Sequence, residues 1–256
     1  MATYKKKDKV AKQFRKDQAS IDSASTTEGV FEGLDSGANK AEEWILKNQK
    51  AILAFIGVVL VGVLGYMAYM RYVQEPAEVK AANELAYPKA YFDQALATTV
   101  DNDSLYSLAL NGADGKYGLL EIADKFSSTK AGNLANYYAG VSYLKLADYK
   151  NAIKYLDDFS SDDIMLGPMS KGAMGDAFAN NEQPEQAFEY YEKAANLNEN
   201  DYTTPMFLDR AAAMALTIGN HKKAVELYTR IKTDFASSNA AKDIEGKINQ
   251  AKYTTK

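Results

Sequence analysis

The chain has 256 residues, a net charge of −4, a single histidine and no cysteine. Without cysteine there are no disulfides and no thiol chemistry, which suits an oxidising compartment and the cytosol alike. One histidine, His221, leaves too little material for a transition-metal site, and no metal, cofactor or nucleic-acid partner is expected.

Residues 1–40 are polar. Lys5, Lys6, Lys7, Lys9, Lys12, Arg15 and Lys16 stand against one acid, Asp8, in the first sixteen positions. The rest of the segment is rich in Ser, Thr, Gly and Asp and cannot bury enough apolar area to offset its ordering entropy, so a disordered tail is expected. The basic run reads as a topology signal; the other reading is that it lies on anionic lipid, which attracts each basic residue by about 1 kcal/mol.

A helical run, "KAEEWILKNQK", leads into residues 51–70, which carry no charge, no proline and no asparagine. Twenty helical residues at about 1.5 Å each span about 30 Å, the hydrocarbon thickness of a bilayer. A soluble core helix would keep a polar stripe. A secretory signal would be shorter, nearer the N-terminus and followed by a small-residue cleavage motif. Trp44 precedes the run and Tyr66, Tyr69 and Tyr72 collect at its far end, as aromatic rings do at membrane interfaces. The segment is therefore read as an uncleaved membrane-spanning helix, within flanks 41–73. Basic residues in short flanks stay on the cytoplasmic side, which places the N-terminus inside and the C-terminal domain outside. Ala54, Gly57, Gly65 and Ala68 share one face within about 80° at about 100° per residue. Small faces let a second helix approach; glycine is also common in such helices without that role.

The 186 residues after position 70 are enough for one domain with a real core. "PAEVKAANELAYPKAYFDQAL" has a helical pattern that Pro88 is expected to break or kink. A short helix opening at Asp103 and a glycine-rich turn follow. From Tyr117 onward helical periods succeed one another with short breaks, and no period-two run supports a strand. An all-α domain is expected over 76–256.

Within it three segments align: "DYKNAIKYL", "QPEQAFEYY" and "NHKKAVELY". Ala152, Ala187 and Ala224 recur 35 and 37 residues apart, each followed four positions on by Leu156, Tyr191 or Tyr228. Gly140, Gly175 and Ala212 lie at the same distance upstream, with Tyr143 and Phe178 three residues after the glycines. Two antiparallel helices packed face to face need this arrangement. The small residues allow close approach within a pair, and the large ones are expected to fill the gap between neighbouring pairs.

A repeat of this length with a Gly…Tyr…Ala pattern resembles the tetratricopeptide repeat. The resemblance covers 131–235 and extends more loosely to 88–127, with a terminal capping helix over 237–253. It departs from the family in lacking its Trp and Leu-Gly pair and in placing Ala212 where Gly is expected. A generic helical bundle remains the alternative. The resemblance implies a solenoid whose first helices line a groove. By matching position that face holds Tyr137, Val141, Leu144 and Lys145, then Met169, Gly172, Asp176 and Asn180, then Met206, Asp209 and Ala213. Family members that grip a C-terminal carboxylate cluster Lys, Arg and Asn there; one Lys and two Asp do not make such a clamp. Met and aromatic side chains suit varied apolar segments, whether extended, partly unfolded or a partner's helix. The other reading is that these residues pack between repeats.

No P-loop, dinucleotide fingerprint, zinc-protease or nucleophile-elbow motif is present, so an enzyme is not expected. "DNDS" and "SSDDIM" lack the downstream ligands of a calcium loop and read as solvated turns, and His221, at a helix start, reads as structural.

With the basic tail and anchor, the stretch "GNLANYYAGVSYLKLADYKNAIKYLDDFS" (132–160) resembles the ancillary Sec-translocon subunits of bacterial inner membranes (YfgM type). The chain also looks like the anchored tetratricopeptide proteins of Bacteroidota-type bacteria. That resemblance implies an inner-membrane protein with a periplasmic repeat domain, a chaperone-like scaffold beside SecYEG, working with a membrane-anchored prolyl isomerase and with unfolded clients. Two alternatives stay open: a structural scaffold for a division or secretion complex, and a cytosol-facing adaptor of reversed topology.

Overall fold

A computed structural model describes residues 26–98 and 102–253, with side chains from residue 42 onward. The basic run of the first sixteen positions lies outside the described residues. Among the described residues the regular structure is entirely helical, as the missing period-two pattern requires.

The chain divides into two compact units, Met1–Ala68 and Tyr69–Lys256. The described part of the first lies in helix α1 (Thr26–Tyr69), whose last residue falls in the second. Residues 26–40, within the expected polar tail, are helical. Extending an existing helix needs no new nucleus, and no proline interrupts the stretch. The helical stretch Glu42–Ala97 is long and apolar enough to cross a membrane, and none of its most apolar window is buried. Phe55, Val58 and Val61 are 69, 72 and 71 % exposed. Such a surface is at home in lipid, where side chains need no polar stripe.

The second unit begins with a π-helical turn, Met70–Gln74, followed by α2 (Glu75–Ala97). Pro88 does not end α2. It lacks one donor, yet its ring is fully buried, and that packing offsets the lost bond. Two side chains tie the start of α2 to the rest of the unit. Gln74 Nε2 donates to the Ser128 carbonyl at 2.8 Å, and the Glu78 carboxylate accepts from the Lys130 backbone N–H at 3.0 and 3.2 Å. Lys130 opens a helix, so Glu78 satisfies an orphan donor where negative charge is favoured.

Two short helices follow, α3 (Asp103–Asn111) and α4 (Leu119–Lys125), then three antiparallel pairs. They are α5 (Lys130–Lys145) with α6 (Tyr149–Asp157), α7 (Leu166–Asn180) with α8 (Pro184–Asn196), and α9 (Thr203–Thr217) with α10 (His221–Asp234). A 3₁₀ turn (Asn239–Ala241) leads to the last helix, α11 (Ile244–Tyr253), which packs on α10. One buried cluster runs from Ala81 to Ala139 and another from Ala187 to Ala251.

The turns inside the three pairs are built alike. Ala147, Glu182 and Gly219 adopt φ of +58°, +58° and +76°. After each, the next N–H reaches back five residues: Asp148 to the Tyr143 carbonyl (2.9 Å), Gln183 to Phe178 (2.9 Å) and Asn220 to Ala215 (2.7 Å). This is the Schellman termination, which satisfies carbonyls the helix leaves bare. The following residue then starts the second helix. Asp148 and Asn220 accept from the N–H groups of Asn151 and Lys223, both at 3.2 Å, and Pro184 sits at the first turn of α8.

Only the third turn uses glycine. A non-glycine residue in this region costs about 1–2 kcal/mol, while glycine loosens the unfolded chain by about 0.4–1 kcal/mol. Ala147→Gly and Glu182→Gly are each expected to stabilise the unit by about 0.5–1 kcal/mol. Gly219→Ala, with open space around a new Cβ, should lose a similar amount. Urea unfolding followed by circular dichroism reads all three; equal signs for the three changes would refute the assignment.

Candidate functional site: a groove across the first helices

Close approach within the pairs follows from the small residues. A Cβ on Gly140 would lie 2.5 Å from Leu156 Cγ, and one on Gly175 would lie 2.6 Å from the Tyr191 ring. Ala152, Ala187, Ala212 and Ala224 are wholly buried. The large residues divide in a way the sequence reading did not anticipate. Tyr143 stacks on Tyr155 (centroids 5.5 Å) and Phe178 on Tyr190 (5.0 Å), both inside their own pairs beside the turn. The third pair has Ala215 and Leu227 at the matching places. Tyr191 does bridge neighbouring pairs, lying parallel to Phe207 of α9 at 6.4 Å. Tyr228 is buried between α9, α10 and α11, and burial pushes its phenol up to about 12.

With the pairs so packed, the first helices α5, α7 and α9 line a groove of about 290 Å³. Tyr137, Val141, Leu144 and Lys145 enter from α5, Met169 and Asp176 from α7, and Met206 from α9. Phe92 and Leu96 of α2 complete the wall; they lie outside the clear repeats, where the sequence reading did not look. A second hollow of about 310 Å³ adjoins it, sharing Met206 and Arg210 and adding Asp201, Tyr202, Asp209 and the 3₁₀ turn. Asn180 and Ala213 line neither hollow and are exposed; Asn180 Nδ2 donates to the Asp176 carbonyl at 2.7 Å. Gly172 is not a groove surface: it is buried, and Phe207 ring carbons lie 2.0 Å from where its Cβ would be.

Tyr137 is half-buried against Phe159 (5.2 Å between centroids) and Tyr138 (5.7 Å). Burial pushes its phenol up, so it stays a neutral donor at physiological pH. The charges differ from a count of one Lys and two Asp. Asp176 is held by the Arg210 guanidinium and accepts from the Tyr191 hydroxyl at 2.6 Å. Burial, and then that hydrogen bond, raise the Tyr191 phenol. Arg210 also lies over the Phe207 ring at 5.7 Å. Asp209 is bound by Lys247 of α11 at 2.6 Å. Both acids are thus compensated internally, and the apolar floor carries no unpaired anion. Arg210 and Lys247 are charged neighbours of the groove that the repeat alignment missed, because each is drawn from the next element along the stack.

Among the described residues no group of His, Asp and Glu is placed to hold a metal ion. On the first unit, Ala54 and Ala68 are exposed and an added Cβ on Gly57 or Gly65 would meet nothing within 4 Å. No curated protein matches the chain. A sequence profile of the tetratricopeptide repeat does match residues 134–162, the stretch that holds Tyr137, Gly140, Tyr143, Ala152 and Leu156. The helical stack is therefore similar there to a tetratricopeptide repeat, an architecture that serves as a protein–protein interaction scaffold.

Proposed function

We propose that the chain is a single-span membrane protein whose repeat unit holds a segment of a partner protein in the α5–α7–α9 groove on the non-cytoplasmic side of a bacterial inner membrane. The occupant is an extended or partly unfolded segment, or a partner's helix. The observation that supports this best is the groove itself: an apolar floor with adaptable Met169 and Met206, a neutral Tyr137, and both acids tied off by Arg210 and Lys247. Met and aromatic linings accept varied apolar side chains. In this reading the protein is a chaperone-like accessory subunit of the SecYEG translocon, beside a membrane-anchored prolyl isomerase. Tethering near the exit raises effective concentration to about the millimolar range for short linkers, so weak contacts suffice.

Affinity purification from membranes in mild detergent, read by mass spectrometry, tests it. Translocon subunits should accompany the wild-type chain. They should be lost from Tyr137→Asp/Met206→Asp while helicity by circular dichroism is unchanged. Wild-type purification without channel subunits refutes the translocon assignment, and a fall in helicity assigns the two residues to the core.

A further inference from the structure

The groove is electrically lopsided, and we propose that it orients its occupant: it takes an apolar segment with an acidic residue at the Lys145 end and a basic residue at the Asp201 end. This rests on the groove reading above and adds the chemistry of the partner. Among the charged side chains lining the two hollows, Asp176 and Arg210 bind each other and Asp209 binds Lys247. Lys145 and Asp201 are exposed and make no ion pair or hydrogen bond among the described residues. Lys145 lines only the hollow walled by α2, α5, α7 and α9; Asp201 lines only the one beside the 3₁₀ turn. The hollows meet at Met206 and Arg210. An unpaired cation therefore lines one hollow and an unpaired anion the other, and the charges between them, Asp176, Asp209 and Arg210, are paired.

Exposed pairs add little affinity, about two- to fivefold each, but they set register and reject the wrong arrangement. An occupant turned end for end would exchange two attractions for two repulsions, a preference of more than about tenfold at low salt. Breaking Asp176–Arg210 to obtain a different pattern would leave a half-buried carboxylate unpaired, so the free ends govern orientation.

The probe is the synthetic peptide Glu-Glu-Leu-Phe-Met-Leu-Lys-Lys with a benzophenone beside its glutamates, added to the full-length protein in detergent. Photocrosslinks mapped by mass spectrometry should fall around Lys145 and not around Asp201. In Lys145→Glu/Asp201→Lys they should move to the segment before α9. Either single variant turns an attraction into a repulsion and should weaken binding about four- to twenty-fivefold at low salt, and the loss should vanish at 1 M salt, where the screening length is about 3 Å. Crosslinks at both ends in equal yield overturn the orientation rule and leave the groove reading standing. No crosslink to either hollow overturns both. Both residues are exposed, so the variants should keep wild-type helicity.

Discussion

Gly172→Val is expected to cost about 3 kcal/mol of stability, at the upper end of what overpacking a core does. Propensity argues the other way. A glycine inside a helix is worse than alanine by about 0.5–1 kcal/mol, and α7 would gain from losing it. Space decides. A Cβ at position 172 would sit 2.0 Å from Phe207 Cε1 and 2.1 Å from Cζ, and Phe207 is only 1 % exposed, stacked on Tyr191. The ring has nowhere to go. Alanine already brings that Cβ against the ring, so its propensity gain is outweighed and it should lose about 1–2 kcal/mol, while the branched side chain forces α7 and α9 further apart. Phe207→Ala alone removes core surface and should cost about 3–5 kcal/mol. In the double variant the two losses should not add, with a coupling of about 1–3 kcal/mol. Urea midpoints of the four proteins measure it; additive losses would show that the ring does not lie on Gly172.

That contact also marks how far the sequence could be read. Gly140, Ala152 and Leu156 meet within one pair, at offsets that repeat 35 and 37 residues on, so the alignment found them. Gly172 and Phe207 belong to different pairs, and their meeting depends on how α7 and α9 stack. No local period encodes that angle, and position 172 was read as groove lining instead. The same limit hid Arg210, whose carboxylate partner lies 34 residues away, and Phe92 and Leu96, which approach from a helix outside the clear repeat. At the turns, Gly219 announces a left-handed residue by its identity, while Ala147 and Glu182 take that conformation because the Schellman bonds and the next helix start hold them there.

Leu60→Arg/Val61→Arg is expected to move the chain from the membrane to the soluble fraction. The segment 51–70 holds ten Leu, Ile, Phe and Val residues, each favouring insertion by about 0.3–0.6 kcal/mol, or about 3–6 kcal/mol together. Two central arginines oppose this by about 5–7 kcal/mol and remove two of the ten contributors. The sum turns from favourable to near zero or worse. A position near the end behaves differently. Leu53→Lys should leave the chain in the membrane, since a lysine close to the interface extends its ammonium into the headgroups. The contrast separates a span from a helix that merely adheres by its apolar surface, for which depth along the helix would not matter. Carbonate extraction followed by immunoblotting reads both variants. Wild-type resistance to extraction, kept by Leu53→Lys and lost by the central pair, is the expected pattern; equal behaviour of the two variants would rule out a helix that crosses the bilayer.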